Sequence, residues 1–320
     1  MMVPRKQGSI LILALWVLFF LAALTVAAAG HVWAVLQAAE RLQSRALGRM
    51  EAASVAAWTV AVLEEYIQAE NTTNVWDGVA TDAWNRDPRL FSLPSQGLPS
   101  RSEDPAVYFM LPDTDDIFGG ILGESGRLHL NRHNPEMLKH LFAYVGGEPG
   151  AQVAQRLFAV RESGGAGLTG RGNGSYDRIV FRTVEDLRMI EGVDADLYAK
   201  LAPHLTVYGG KNVINVNSAT RAVLVAYFVS TDDPEMVRNA EELADQVILE
   251  RRDRGFMDRE DFLSRMPDVE RGIWARGPMG VVSTAFRGIA VGGEGSTGAG
   301  MEIEFVWDTI TRQYVVWRER

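Results

Sequence analysis

Between Lys6 and Glu40 the chain carries no formally charged side chain. Inside that window Ser9 to Ala29 reads SILILALWVLFFLAALTVAAA, with Ser9 and Thr25 its only polar residues. A bilayer's hydrocarbon core is spanned by about 20 apolar residues in a helix, where each backbone N–H and C=O finds its partner inside the segment. The run of 21 residues meets that length. Arg5 and Lys6 stand directly before it, so the positive-inside bias leaves the short N-terminus in the cytoplasm and exports the rest. A cleaved secretory signal shares the basic start, and Ala27-Ala28-Ala29 resembles a small-residue cleavage site. The apolar run exceeds the roughly 7–15 residues of a signal core, however. A plain anchor fits the length, and a third reading turns on Gly8, which separates the basic leader from the apolar run.

The residues after the run favour that third reading, a type IV prepilin-like N-terminus. Ala39, Leu42, Ala46, Met50, Ala53, Ala57, Val60, Leu63 and Ile67 recur at steps of three or four, with Glu40, Arg41, Arg45, Arg49, Glu51 and Glu64 mostly off that stripe. This is the period of an amphipathic helix, and no proline falls between residues 5 and 87. One helix is therefore expected from Ser9 to about Ala69, roughly 90 Å at 1.5 Å per residue. Its first half would serve as anchor and its second as a packing surface.

The charge balance separates the two parts of the chain. With Arg5 and Lys6 set aside from 32 basic residues, 30 remain against 41 acidic ones, a net of −11 for residues 40 to 320. That balance opposes nonspecific binding to nucleic acid. The absence of cysteine excludes a disulfide scaffold, a thiolate zinc site and a cysteine nucleophile.

Asn71-Thr72-Thr73-Asn74 ends the helical pattern, and residues 85 to 105 read as a loop. Ala106 to Asp113 and Gly126 to Asn131 read as strands, as do Val281 to Val291, Met301 to Trp307 and Gln313 to Glu319. Residues 132 to 275 look mostly helical, so a sheet is interrupted by a helical insertion. Within that block LHLNRHNPEMLKHLF (Leu128 to Phe142) aligns with INVNSATRAVLVAYF (Ile214 to Phe228), and FRTVEDL (Phe181 to Leu187) with FMDREDF (Phe256 to Phe262). The internal repeat places Asn131 and Asn217 near helix starts, where a capping role is expected.

The leader ending in Gly8, SILILALWVLFF, the paired asparagine repeats, and FRTVEDLRMIEGVDADLYAKLAPHLTVYGGKNVINVNSATRAVL (Phe181 to Leu224) together resemble the K-type minor pseudopilins of type II secretion (general secretion pathway protein K). The resemblance spans nearly the whole chain and is most specific over residues 181 to 228. It implies an α+β fold: a pilin-like N-terminal helix packed on an antiparallel sheet, with an inserted helical domain containing two helix-hairpin-helix-like repeats. The implied divisions are a leader at 1–8, a transmembrane half-helix at 9–29, and the body's first part at 30–131. The insertion at 132–275 and the C-terminal strands at 276–320 complete the chain. A prepilin peptidase would cut between Gly8 and Ser9 and methylate Ser9, the new N-terminus.

The glutamate that most pilins carry five residues into the mature chain is here Leu13. Its absence suits a subunit with none stacked above it. The resemblance thus implies a non-enzymatic tip subunit that initiates pseudopilus assembly and supports export across the outer membrane. It would be held in the inner membrane by a single pass with its body in the periplasm. The implied partners are I- and J-type minor pseudopilins, the prepilin peptidase, and the secreted substrate or the outer-membrane secretin. Calcium is the one implied ion, with Asp113, Asp115 and Asp116 as the best local ligands, although their spacing completes no EF-hand loop and a solvated acidic turn is the alternative. The family's D-W-x-D-like stretch has no counterpart in Phe158 to Arg178.

Other chemistry is less well served. Helix-hairpin-helix units also occur in DNA-binding proteins, so a membrane-tethered DNA-binding protein is the alternative function. The hairpin at Ile190 to Asp194 is flanked by Glu191, Asp194 and Asp196, which repel phosphate. Gly165, Gly167 and Gly170 match G-x-G-x-x-G without the strand–turn–helix context a dinucleotide site needs. His129, His133 and His140 raise zinc but lack a clear further ligand. No serine–histidine–aspartate pattern has a diagnostic context, and no enzymatic activity is expected.

Overall fold

In the computed structural model, residues 8–69, 107–110, 117–162, 181–209, 213–229, 234–253, 255–266, 269, 279–281, 283–293 and 300–320 are described. The first element is a single helix, α1 (Gly8–Ala69), 62 residues long, or about 93 Å. Alanine and leucine dominate it, and both are strong helix formers. From Leu11 to Leu47 none of its side chains is buried. Burial begins at Gly48 and continues along Ala52, Val55, Ala56, Thr59, Val60, Val62 and Leu63.

This corrects the first half of the expected stripe. Leu42 and Met50 are 67% and 66% exposed, and Ala39, Ala46 and Ala57 are exposed as well; only its end, Val60, Leu63 and Ile67, turns inward. At the first crossing the sheet takes small residues, Gly48 and Ala52, because there the helix backbone comes close to a strand. A Cβ on Gly292 would lie 2.1 Å from the Gly48 carbonyl oxygen and 2.4 Å from the Ala52 amide nitrogen, so only glycine fits. At the same crossing the Gly293 N–H donates to Glu51 Oε2 at 2.6 Å. Thr59, buried in the contact, donates to the Val55 carbonyl one turn back, which satisfies its hydroxyl.

The sheet is antiparallel. Its strands are β1 (Val107–Met110), β2 (Ile117–Gly119), β3 (Leu122–Gly123), β8 (Ala285–Gly292), β9 (Met301–Asp308) and β10 (Gln313–Glu319). They run in the order β10-β9-β8-β1-β2, with β3 also paired to β8. The β8–β9 register holds from Ala285↔Asp308 to Gly292↔Met301, and β10 carries an irregularity between Tyr314 and Val316. Strand alternation gives the faces different work. Phe286, Ala290, Phe305 and Trp307 meet Val55, Ala56, Val60 and Leu63 of α1 in one core. On the opposite face Ala285, Val306 and Val316 pack with Tyr208.

A second, larger core draws on residues from Leu128 to Val281. The expected strand at 126–131 shortens here to β4 (Leu128–His129), which pairs in parallel with β5 (Leu205–Thr206) and stays out of the main sheet. A second parallel bridge joins β6 (Ile214–Asn215) to β7 (Met279–Gly280). The helices are α2 (Pro135–Glu162), broken at Gly147, α3 (Ala195–Leu201), α4 (Arg221–Phe228), α5 (Pro234–Asp253) and α6 (Arg259–Arg265).

The aligned residues occupy matching hydrogen bonds in the two halves of this core. Asn131 Nδ2 donates to the Phe181 carbonyl at 2.8 Å and its Oδ1 accepts from the Phe181 N–H at 2.9 Å. Asn217 does the same to Phe256, at 2.9 and 2.8 Å. Arg161 donates to the carbonyls of Asn131 and His133, as Arg251 does to those of Val216 and Ala219. The two asparagines therefore do not cap helices. Each clamps a distant backbone, and the caps fall three residues later. Asn134 Oδ1 accepts from the Glu136 N–H at the start of α2, and Thr220 Oγ1 from the Val223 N–H at the start of α4.

Candidate functional site

The first candidate surface is the uncovered part of α1. Gly8 opens the helix and Ser9 lies in its first turn, so the expected cleavage junction falls at the helix start. Leu13 is 67% exposed and faces no partner within this chain's core. The stretch has a mean hydropathy of 2.7 over its most apolar 18 residues, none of them buried. By length and composition one helix here is able to cross a membrane. The exposed apolar side chains continue beyond the 21-residue run through Val32, Trp33, Leu36, Leu42, Leu47 and Met50. A single rod thus offers a long apolar surface, and the body grips only its last third.

The second candidate region was not signalled by any sequence motif. It lies where the far face of the sheet meets residues 184–208, and it is built from charge. Glu124, in a short 3₁₀ turn after β3, is 2% exposed. Its Oε1 accepts from Arg287 Nε at 2.6 Å and from Arg127 Nη1 at 3.2 Å, and its Oε2 accepts from the Thr206 hydroxyl at 2.5 Å. Arg287, on β8, also pairs with Glu304 of β9, which accepts in turn from Arg320 Nη2 at 2.5 Å. Arg318 of β10 donates to Glu185 at 3.0 Å. Burial pushes the Glu124 carboxyl up, but the Arg287 and Arg127 guanidiniums and the bonds from Arg287 and Thr206 outweigh it and bring it to about 2. Burial likewise works against the Arg287 guanidinium, and Glu124 and Glu304 more than compensate, so its pKa is raised. Desolvation offsets much of the attraction in a buried pair of this kind, but removing one partner strands the other's charge.

The remaining expected residues are dispersed. Asp113, Asp115 and Asp116 lie outside the described residues, as do Gly165, Gly167 and Gly170. His133 Nδ1 accepts from the His129 N–H at 2.6 Å, and His129 Nδ1 from the Asn131 N–H at 3.1 Å. One nitrogen of each ring is therefore committed to the backbone. Burial holds His129 down to about 4 and His133 to about 3, with neighbouring cationic groups adding to the effect, so both are neutral. Among the described residues no group of three or more His, Asp or Glu is arranged to hold a metal ion.

At the hairpin, Gly192 takes φ +93° and Asp194 caps α3 through the Leu197 N–H. Arg156 donates to the Glu191 carbonyl and Lys200 pairs with Asp196. The nearby cations are thus drawn into contacts within the protein.

A long, largely uncovered apolar helix laid across an antiparallel sheet defines the architecture as that of a helix-led α+β protein. Compared with known proteins, the chain matches no family model and no curated protein. Among solved structures it is similar to a chain of the GspK–GspI–GspJ complex of the type 2 secretion system of enterotoxigenic Escherichia coli. The identity is 16%, the TM-score 0.43, and the match covers 63% of this chain and 78% of that one.

Proposed function

We propose that this chain is a minor pseudopilin of the K type, acting at the tip of a type II secretion pseudopilus. The observation that supports this best is the division of α1. From Leu11 to Leu47 no side chain is buried and most are apolar, while Gly48 to Leu63 are seated on the sheet. A soluble protein would leave that much apolar surface exposed at a heavy cost, since contiguous apolar patches beyond a few hundred Å² mark interaction or membrane surfaces. A plain anchor accounts for residues 9–29 but not for the exposed Leu36, Leu42, Leu47 and Met50 beyond them. Packing against neighbouring helices accounts for both.

In this reading the helix waits in the inner membrane with the body in the periplasm. Prepilin peptidase removes residues 1–8 and methylates Ser9, and the helix then bundles with I- and J-type minor pseudopilins. Leu13 leaves no carboxylate to pair with the terminal amine of a subunit above, which suits a terminal position. The helical block at 132–275, held by the clamps from Asn131 and Asn217, is the inserted domain bearing helix-hairpin-helix-like repeats, and its bulk suits a cap. Secreted substrate or secretin would meet that block, and calcium at Asp113, Asp115 and Asp116 belongs to the same proposal. The subunit's role is assembly, without catalysis.

Replacing Gly8 tests the reading directly. In cells that carry the secretion machinery, Gly8→Trp is expected to leave residues 1–8 attached, while the parent begins at methylated Ser9. Mass spectrometry of the purified N-terminus reads both. An identical mature N-terminus in parent and variant would sink the assignment.

A further inference from the structure

The charged junction encloses a recess of about 180 Å³. Its polar wall is made by Arg127, Arg287, Arg318 and Arg320, with Glu185 and Glu304 opposing them and Tyr198 and Tyr208 among its other lining residues. Four guanidiniums against two carboxylates leave a formal lining charge of +2 on a chain whose net charge is −9. Glu124, behind the wall, lowers that balance by one, and Arg188, stacked on Tyr198, restores it.

The donors are equally out of proportion. A guanidinium carries five N–H groups, so four of them offer twenty. Among the described residues five side-chain hydrogen bonds use them: one from Arg127, two from Arg287, one from Arg318 and one from Arg320. Arg127 is 13% exposed at its side chain, and its Nε is buried with no hydrogen-bond partner among the described residues. An unmet donor on a buried cation is costly; that Nε is closed to the recess, so an occupant would meet the guanidinium wall through Arg287, Arg318 and Arg320.

We infer that this recess is a binding site for a compact monocarboxylate group. The size fits, since a water needs only about 10–15 Å³ of such open volume and the recess therefore has room for a carboxylate with a short stem. The charge fits as well. An anion meets a net positive wall, and Glu185 and Glu304 on the same wall oppose a phosphate dianion more strongly than a single carboxylate. The planar fork of arginine matches a carboxylate in two-point contact. Free small carboxylates and the acidic side chain of a polypeptide present the same chemistry. The site lies between the sheet and residues 184–208, so its occupant would bridge β10 to α3 and the 3₁₀ turn at Val184–Met189. The inference stands on the recess alone and does not depend on the secretion reading.

The test uses the full chain in detergent micelles at low chloride, titrated calorimetrically with propionate, with N-acetylglutamate amide, with a short peptide holding one central glutamate, and with inorganic phosphate. The comparison variant is Arg318→Gln with Arg320→Gln. Both side chains are about half exposed, so folding is expected to survive, and circular dichroism checks it. The expected result is saturable binding of the carboxylates, weakened tenfold or more in the variant, with phosphate weaker than propionate. A peptide binding tenfold tighter than propionate identifies a polypeptide source, and equal affinities identify a free small acid. Absence of saturable carboxylate binding by the parent, equal binding by the folded variant, or tighter binding of phosphate each overturns the inference.

Discussion

Replacing Asn217 by alanine measures what the asparagine clamps contribute. Asn217 and Phe256 are both fully buried, and Asn217 supplies both partners of the Phe256 backbone. Alanine leaves one N–H and one C=O in the core with nothing to bond, at about 1–3 kcal/mol each. The expected loss is therefore about 4 kcal/mol. For a cooperative unit of roughly 150 residues, 1 kcal/mol moves the melting temperature by about 2–4 °C, so the shift should be roughly 8–16 °C. Asn131→Ala removes the same pair of bonds at a half-buried site, where water replaces part of them, and about half the loss is expected. Asn217→Asp keeps the acceptor for the Phe256 N–H but sets a carboxylate oxygen against the Phe256 carbonyl, and should be no milder than alanine. Thermal unfolding of the detergent-solubilised chain, followed by near-ultraviolet circular dichroism, ranks the three. If Asn217→Ala stays within about 1 kcal/mol of the parent, or costs less than Asn131→Ala, the clamp argument is wrong.

Three further outcomes are expected. Gly292→Ala should cost about 1–3 kcal/mol by overpacking, because the new Cβ meets backbone atoms of α1; Gly48→Ala, whose nearest contacts are 3.3 Å or more, should cost less, and hydrogen exchange of β8 and β9 reports both. Stability should fall as pH drops below about 6.5, where the unfolded chain protonates histidines that the folded one keeps neutral. The slope is about 1.4 kcal/mol per pH unit for each of His129 and His133, continuing until about 4 for His129 and about 3 for His133. Glu124 adds its own loss only below about pH 4.5, where its unfolded form protonates while the folded one at about 2 does not, so equal urea midpoints at pH 7.5 and pH 5.5 would refute the histidine account. Finally, Leu18→Lys places a charge in mid-span at about 2.5–3.5 kcal/mol, and the variant should shift from the membrane pellet to the soluble or degraded fraction; unchanged membrane retention argues against insertion.

Much of this architecture is written in local patterns, and what escaped depends on contacts between distant residues. The helix to Ala69 was legible because its period and lack of proline are local properties. Its buried face departs from the stripe over the first half because a hydrophobic stripe identifies apolar side chains, not the partner that meets them. The sheet chose Gly48 and Ala52, where backbones approach closely, and left Leu42 and Met50 outside. The sequence suggests a cap at Asn131 and Asn217, but Asn134 and Thr220 hold that role. The true partners of Asn131 and Asn217 lie 50 and 39 residues away, beyond any spacing rule. The charged junction joins Glu124 to Arg287 across 163 residues, and only the folded chain brings them together.

The late start of burial along α1 also has a mechanical side. If residues 9–29 span a bilayer, Gly30 to Leu47 form a mast of about 27 Å between the lipid and the first buried residue, Gly48. Such a mast transmits angle into position. Membrane helices tilt by about 20° on average, and over the roughly 60 Å from Ser9 to Gly48 that tilt displaces the body sideways by about 20 Å. Whatever fixes the slant of the anchor thereby decides where the body stands, with no change in its own fold.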